Sequence, residues 1–308
     1  MNAILSVRDV AKSFGDVKAV DGVSFDLRPG TITGLLGRNG AGKTTTLRMI
    51  NGIFFPDRGE VRLFGGDSKD ARDRVGYLPE ERGLYKKMRV LELLLFLAEI
   101  KGRAPAAMKG AAGTWLARFE LWDRKDVKLE ELSKGNQQKV QLIGALLHDP
   151  EILILDEPMA GLDPVNVVLV RRLLLELKAE GKTILLSTHQ MAEAEKLAEE
   201  IVLIHRGKVV LGGSLAEVRA SSGKNAVHVD FEGDGAFLPT LAGVAGGRVD
   251  TNHAELALTA GADPQALLRS AMERLAIRRF EVVEPSLEEI FIEKVGESTL
   301  EAERTAAA

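Results

Sequence analysis

Two adjacent carboxylates, Asp156 and Glu157, close the unbroken apolar run Ile152-Leu153-Ile154-Leu155. Such a run has the texture of a strand buried on both faces of a parallel sheet, and open α/β sheets bind ligands at the carboxyl ends of such strands. Upstream, Gly37-Arg38-Asn39-Gly40-Ala41-Gly42-Lys43-Thr44-Thr45 matches G-x-x-x-x-G-K-[ST]. The glycines let the backbone curl until successive N–H groups face one concavity, and a helix starting there adds its positive end, so the loop suits a polyphosphate. Lys43 would reach the β- and γ-phosphates, and Thr44 would offer its hydroxyl to Mg²⁺. A second apolar run, Thr183 to Ser187, delivers His189 to the same sheet edge as the carboxylates. Taken alone, the histidine reads as an ordinary surface residue and the carboxylates as a solvated strand end.

The elements that must hold these groups follow from periodicity. Thr31 to Leu36 is short, β-branched and apolar, and residues 44 to 51 place Leu47 and Ile50 at helical spacing before Gly52, so the glycine loop joins a strand to a helix. Residues 3 to 10 and 23 to 28 alternate as half-buried antiparallel strands do. In the turn Lys12-Ser13-Phe14-Gly15, Phe14 is either core or an exposed ring able to stack on a base. Val90 to Ile100 is too apolar for a surface helix, and residues 106 to 122 carry Trp115, Leu116, Phe119 and Trp122 at helical spacing, which reads as core. Ser133 has N-cap character before a helix that Asp149-Pro150 ends. A helix from Pro164, capped by Asp163, to Gly181, one near 191 to 199 and a strand at Ile201 to Ile204 continue a β/α alternation. After Gly212-Gly213 the texture changes. Capping boxes open at Ser214 and Ser286, and between them lie strand candidates at 226 to 232, 254 to 259 and 279 to 283 and a helix candidate from Pro264 to Leu275.

This predicts an α/β chain: a P-loop NTPase (RecA-like) core with an antiparallel β subdomain and a helical insert, plus a small C-terminal α+β domain. The expected boundaries are 1–213 for the nucleotide-binding domain, with its helical subdomain at about 88–150, 214–300 for the accessory domain, and 301–308 for a disordered tail. Composition bounds the partners. The formal charge of −4 over 308 residues is modest and spread out, which argues against a basic nucleic-acid surface. The chain has no cysteine, so disulfides and thiolate metal sites are excluded. No apolar stretch approaches the roughly 18 residues that span a bilayer, so any membrane role is expected to come through a partner.

In order and separation, GRNGAGKTT, LSKGN, ILILDEP, AGLD and the histidine after a buried strand resemble the ATP-binding cassette family over about residues 1 to 215. The C-terminal part resembles the accessory domain of some ABC-2 exporter cassettes, including the sodium-extrusion and drug-resistance groups. The resemblance implies that Asp156 holds the Mg²⁺ shell, Glu157 orients the attacking water and His189 senses the γ-phosphate. It implies that Ser133 and Gly135 grip the γ-phosphate from the opposite subunit of a head-to-tail dimer, with Asp163 at that interface and Phe14 on adenine. A separate integral-membrane permease, met by the helical insert and the Glu80 to Met88 loop, would place the ATPase on the cytoplasmic face of the membrane. A soluble cassette with a regulatory or remodelling role is the alternative.

Two positions depart from the family pattern. After Val75-Gly76-Tyr77-Leu78-Pro79 stands Glu80, followed by Glu81 and Arg82, where glutamine is usual; the signature LSGGQ is LSKGN, with Lys134 and Asn136. Glu80 would still offer oxygen to Mg²⁺ while adding negative charge near phosphates, and Lys134 would add a positive charge across the dimer interface that partly offsets it. Both residues also fit a plain solvated surface.

Overall fold

A computed structural model describes residues 3–67, 71, 73–81, 83, 85–221, 226–259 and 261–306, the last ten of these by their backbone alone. The chain divides into two units, Met1–Gly213 and Ser214–Ala308.

In the first unit the alternating N-terminal stretches pair as antiparallel strands β1 (Leu5–Phe14) and β2 (Val17–Leu27), burying Leu5, Val7, Val10, Val23 and Leu27. Both run beyond their alternating cores because the register shifts between Val7 and Val10, with Asp9 at positive φ, absorb the break in pattern. Next, β3 (Ile32–Leu36), buried at every residue, leads through the glycine loop into α1 (Lys43–Ile50). Strands β4 (Arg58–Leu63) and β5 (Gly66–Asp67) complete an antiparallel sheet in the order β2-β1-β4-β5. The polar composition of β4 suits a strand that is exposed along most of its length.

After β6 (Val75–Leu78) comes the helical segment: α2 (Val90–Ile100), α3 (Pro105–Arg118) and α4 (Lys134–Leu146). Leu93, Leu94, Leu116, Phe119, Val140 and Ile143 join in one core. The aromatic stripe is core only in part. Glu120 takes a φ of 59° and turns the chain out of α3, so Trp122 sits in a 3-10 turn with 45% exposure, its ring beside Gly113 and Lys125.

The alternation then runs β7 (Ile152–Asp156), α5 (Pro164–Ala179), β8 (Thr183–Thr188), α6 (Met191–Glu195), β9 (Glu200–His205) and β10 (Lys208–Ser214). Their sheet has the order β10-β9-β3-β8-β7-β6, and β9, β3, β8, β7 and β6 pair in parallel. Here α6 is shorter than the expected 191 to 199, although Leu197 and Ala198 beyond it stay buried. The topology brings the carboxyl ends of β3, β7 and β8 side by side, where the glycine loop, the carboxylates and His189 emerge.

In the second unit, α7 (Leu215–Ser221) is capped by reciprocal Ser214 and Glu217 bonds. Strands β11 (Ala226–Glu232), β12 (Val244–Val249), β13 (His253–Leu258) and β14 (Ala276–Val283) form an antiparallel sheet ordered β12-β13-β11-β14. Leu267 and Ala271 of α8 (Pro264–Met272) pack with Val227, Val229, Phe231 and Leu256 from the sheet. The last helix, α9 (Leu287–Ala306), starts at the Ser286–Glu289 capping box and continues through most of the tail expected to fray from Glu301. The stretch Leu300-Glu301-Ala302-Glu303-Arg304 consists of good helix formers, which favours that continuation; Ala307 and Ala308 lie outside the described residues. Among the described residues no helix is long and apolar enough to cross a membrane.

Candidate active site

The glycine loop is held by backbone contacts that only glycine permits. A Cβ on Gly37 would lie 2.2 Å from the Ile204 carbonyl, and one on Gly42, at φ 106°, would lie 2.5 Å from that of Ala19. As N-cap of α1, Gly42 has no side chain to accept the first helical N–H groups, which leaves them for an anion. Ala19, Asn39 through Thr45, Glu80 and Glu157 line a cleft of about 370 Å³. A neighbouring cleft of about 590 Å³ is lined by Arg38, Asn39, Gly40, Ala41, His189, Met191, His205 and Arg206. Lys43, though 6% exposed, is engaged: Nζ donates to the Gly37 carbonyl at 2.7 Å and the Arg38 carbonyl at 3.3 Å, and stands 3.7 Å from Glu157 Oε1. An entering phosphate would take the place of these carbonyls.

The carboxylates are placed by strand register, since Asp156 pairs with Ser187 across β7 and β8. Asp156 is fully buried and accepts a short hydrogen bond from the Ser187 hydroxyl. Burial pushes its pKa up; the Ser187 and Thr44 hydroxyls and Lys43 pull it down, and Glu80 adds to the rise. Glu157 leaves the strand at a φ of 49°, a costly conformation for a non-glycine residue, and its backbone N–H is fixed on the Ser187 carbonyl at 3.1 Å. Its Oε1 accepts the His189 backbone N–H at 3.0 Å and meets His189 Nδ1 at 2.8 Å, while Oε2 accepts the Thr188 hydroxyl at 3.3 Å. One carboxylate is thus aimed by three groups from the end of β8.

Oxygen donors that suit a hard divalent cation converge beside the glycine loop. Thr44 Oγ1 donates to Glu80 Oε2 at 3.4 Å, and Asp156 Oδ2 is buried without a hydrogen-bond partner. Thr44 lies near enough to influence Asp156 but makes its bond to Glu80. An orphaned carboxylate oxygen, a hydroxyl and a second carboxylate fit Mg²⁺, whose usual shell is one or two carboxylates completed by phosphate oxygens and water. Among the described residues no three carboxylate or imidazole groups cluster as a ready-made metal site, so the nucleotide would have to complete the shell.

Other expected site residues lie apart from this cleft's lining. Phe14 is 46% exposed, edge-on to Phe54 with centroids 5.4 Å apart and Lys12 above the ring, so it is surface and not core. Ser133 caps α4 by accepting from Asn136 N–H at 3.3 Å. Gly135 faces Leu162, and Lys134 is exposed. Asp163 caps α5 through Asn166, whose backbone N–H holds the carboxylate below its ordinary pKa. Sequence reasoning missed Ser187 and Thr188, whose hydroxyls flank the carboxylate pair, and Gln141, which donates to the Pro79 carbonyl at 3.0 Å and the Glu81 carbonyl at 3.3 Å. The hydroxyls at the carboxyl end of a buried strand were the available signal for the first two.

A parallel sheet that delivers a glycine cradle, a carboxylate pair and a histidine to one edge defines a P-loop NTPase. Comparison with known proteins narrows the class. The ABC transporter family model matches residues 20–160, and that of the C-terminal domain of DrrA1-3-like ATP-binding proteins matches 213–295. The ABC transporter ATP-binding protein YhaQ of Bacillus subtilis is 44% identical over 294 residues, covering 95% of this chain and 99% of YhaQ. The Nod factor export ATP-binding protein I of Ralstonia nicotianae is 36% identical over 303 residues, covering 95% and 94%. A solved ATP-binding subunit of an ABC transporter superposes with a TM-score of 0.67 at 33% identity, covering 71% of this chain and 93% of that one. The cassette MJ0796, dimeric and bound to ADP and Pi, gives 0.64 at 25% identity over 68% and 98%. The chain belongs to the ATP-binding proteins of ABC transporters, and is an ATPase of that family.

Proposed function

We propose that this chain binds ATP in the glycine-loop cleft, hydrolyses it in a head-to-tail dimer, and thereby drives a separate integral-membrane permease that exports its substrate. The observation that carries the reading is Glu157, oriented by His189 and Thr188 at the mouth of the phosphate cleft and close to Lys43. In this reading the loop N–H groups from Gly37 to Thr45 and Lys43 neutralise the β- and γ-phosphates, and Glu157 holds a water in line with the γ-phosphate. Thr44, Asp156 and Glu80 would hold Mg²⁺, which when bound supplies charge neutralisation at the phosphate oxygens. His189 contacts the γ-phosphate, and Phe14 presents its exposed ring to adenine. Ser133, Gly135 and Asp163, exposed or half-buried at the starts of α4 and α5, act on the nucleotide of the partner copy.

Export is supported by the Nod factor export relative and by the DrrA-like C-terminal domain. The permease would dock on the helical insert and the loop from Glu80 to Met88, of which Arg82 and Leu84 lie outside the described residues, and would hold the chain at the cytoplasmic face of the membrane. The test is Glu157→Gln in saturating Mg-ATP. It should accumulate as a dimer on size exclusion with little phosphate release; a monomer would overturn the sandwich.

A further inference from the structure

We propose that Glu80 makes nucleotide binding by this chain conditional on a divalent cation, so that the cleft admits metal-complexed ATP and rejects the free nucleotide. This rests on the reading of the cleft as an ATP site and adds a selectivity assigned to one side chain.

The cleft is lined by one cation, Lys43, and two carboxylates, Glu80 and Glu157, with Asp156 buried beside them. Lys43 already serves Gly37, Arg38 and Glu157. Glu80 is held in place by its neighbours. Gln141, itself 5% exposed, donates to the carbonyls of Pro79 and Glu81, and Arg48 pairs with Glu81 at 3.1 Å. The flanks of Glu80 are therefore pinned while its carboxylate faces the Thr44 hydroxyl. Arg48 pairs with Glu81, and among the described residues Glu80 makes no ion pair.

A fully ionised triphosphate entering this cleft alone meets the exposed Glu80 carboxylate and the buried Glu157 at short range, inside the Debye length of roughly 8 Å, so salt leaves part of the repulsion in place. A divalent cation reverses the sign of that encounter, because the carboxylate that repelled the phosphate becomes a ligand to its metal. Among the described residues no three Asp, Glu or His side chains cluster as a metal site, and two carboxylates with one hydroxyl leave the rest of a Mg²⁺ shell to phosphate oxygens and water.

The test is a fluorescence titration of the full chain with mant-ATP, in excess Mg²⁺ and in excess EDTA. The wild type should lose roughly tenfold or more in affinity when Mg²⁺ is removed. In Glu80→Gln that penalty should shrink severalfold, and Glu80→Asp, which keeps the charge, should retain it. Glu80→Ala gives the same readout if the amide variant melts early by circular dichroism. Equal penalties in wild type and Glu80→Gln, or wild-type binding indifferent to EDTA, would overturn the proposal. Failure of the wild type to bind even with Mg²⁺ would sink the ATP site itself, and this inference with it.

Discussion

Glu157 Oε1 is shared by two donor atoms of a single residue, the backbone nitrogen of His189 at 3.0 Å and its ring Nδ1 at 2.8 Å. The backbone bond is fixed by the end of β8, whereas the ring bond depends on a side chain that is 44% exposed. His189→Ala should therefore leave the carboxylate in place but lose ring control of its orientation. We expect kcat to fall on the order of 10²-fold with little change in KM, and His189→Gln to recover part of it. Steady-state phosphate release checks both variants; a KM effect without a kcat effect would assign His189 to binding alone.

Phe119 and Trp122 are neighbours in the sequence pattern and opposites in the fold. Phe119 is fully buried in the core shared by the helical segment, and Trp122 is 45% exposed. Phe119→Ala should cost about 3–5 kcal/mol of unfolding free energy. Trp122→Ala should cost about 1 kcal/mol or less, from lost contact with Gly113 and Lys125. Urea unfolding monitored by far-UV circular dichroism distinguishes the two.

What could be read in advance followed how local the signal was. The strands from Ile32, Ile152 and Thr183 are continuous apolar runs, and the glycine loop is contiguous, so their order and sheet edge were legible. Strand β12 was not, because Gly246 and Gly247 erase its alternation. A Cβ on Gly247 would lie 2.4 Å from the Glu255 carbonyl, so the glycine records an approach that only the folded sheet reveals. Trp122 kept the helical spacing of its stripe, yet a single positive φ at Glu120 removed it from the helix. Ser187 and Thr188 escaped notice because their role depends on cross-strand register with Asp156. Gln141 escaped because its partners are backbone carbonyls some 60 residues away.

His148 connects the end of α4 to the start of β6, with Nε2 3.1 Å from the Val75 carbonyl and Nδ1 buried without a partner. Burial pushes its pKa down from 6.5 to about 4; Lys101 and Arg103 lower it further, and the Val75 bond opposes them. The unfolded chain therefore binds the extra proton first as pH falls, so this contribution to stability is complete above pH 6.5 and is lost as pH drops toward 4. The loss should reach about 3 kcal/mol across that window. Urea unfolding at a series of pH values should show the slope in the wild type and its reduction in His148→Gln.

Gly135→Ala separates folding from chemistry at the start of α4. A Cβ there would sit 3.7 Å from Leu162 Cδ2, ordinary van der Waals contact, and Gly135 has no positive φ to strain a side chain. Alanine also favours the helix over glycine by roughly 0.5–1 kcal/mol, so Tm should hold or rise. If Gly135 approaches the γ-phosphate bound by a partner copy, the same methyl group stands where a phosphate oxygen must come within hydrogen-bond reach of the backbone, and turnover should fall by at least about tenfold. Mixing the variant with Lys43→Ala, whose own cleft is disabled, should restore part of the activity, because a mixed pair contains one site built from two intact halves. A Gly135→Ala chain that hydrolyses ATP at the wild-type rate would remove this residue from the reaction.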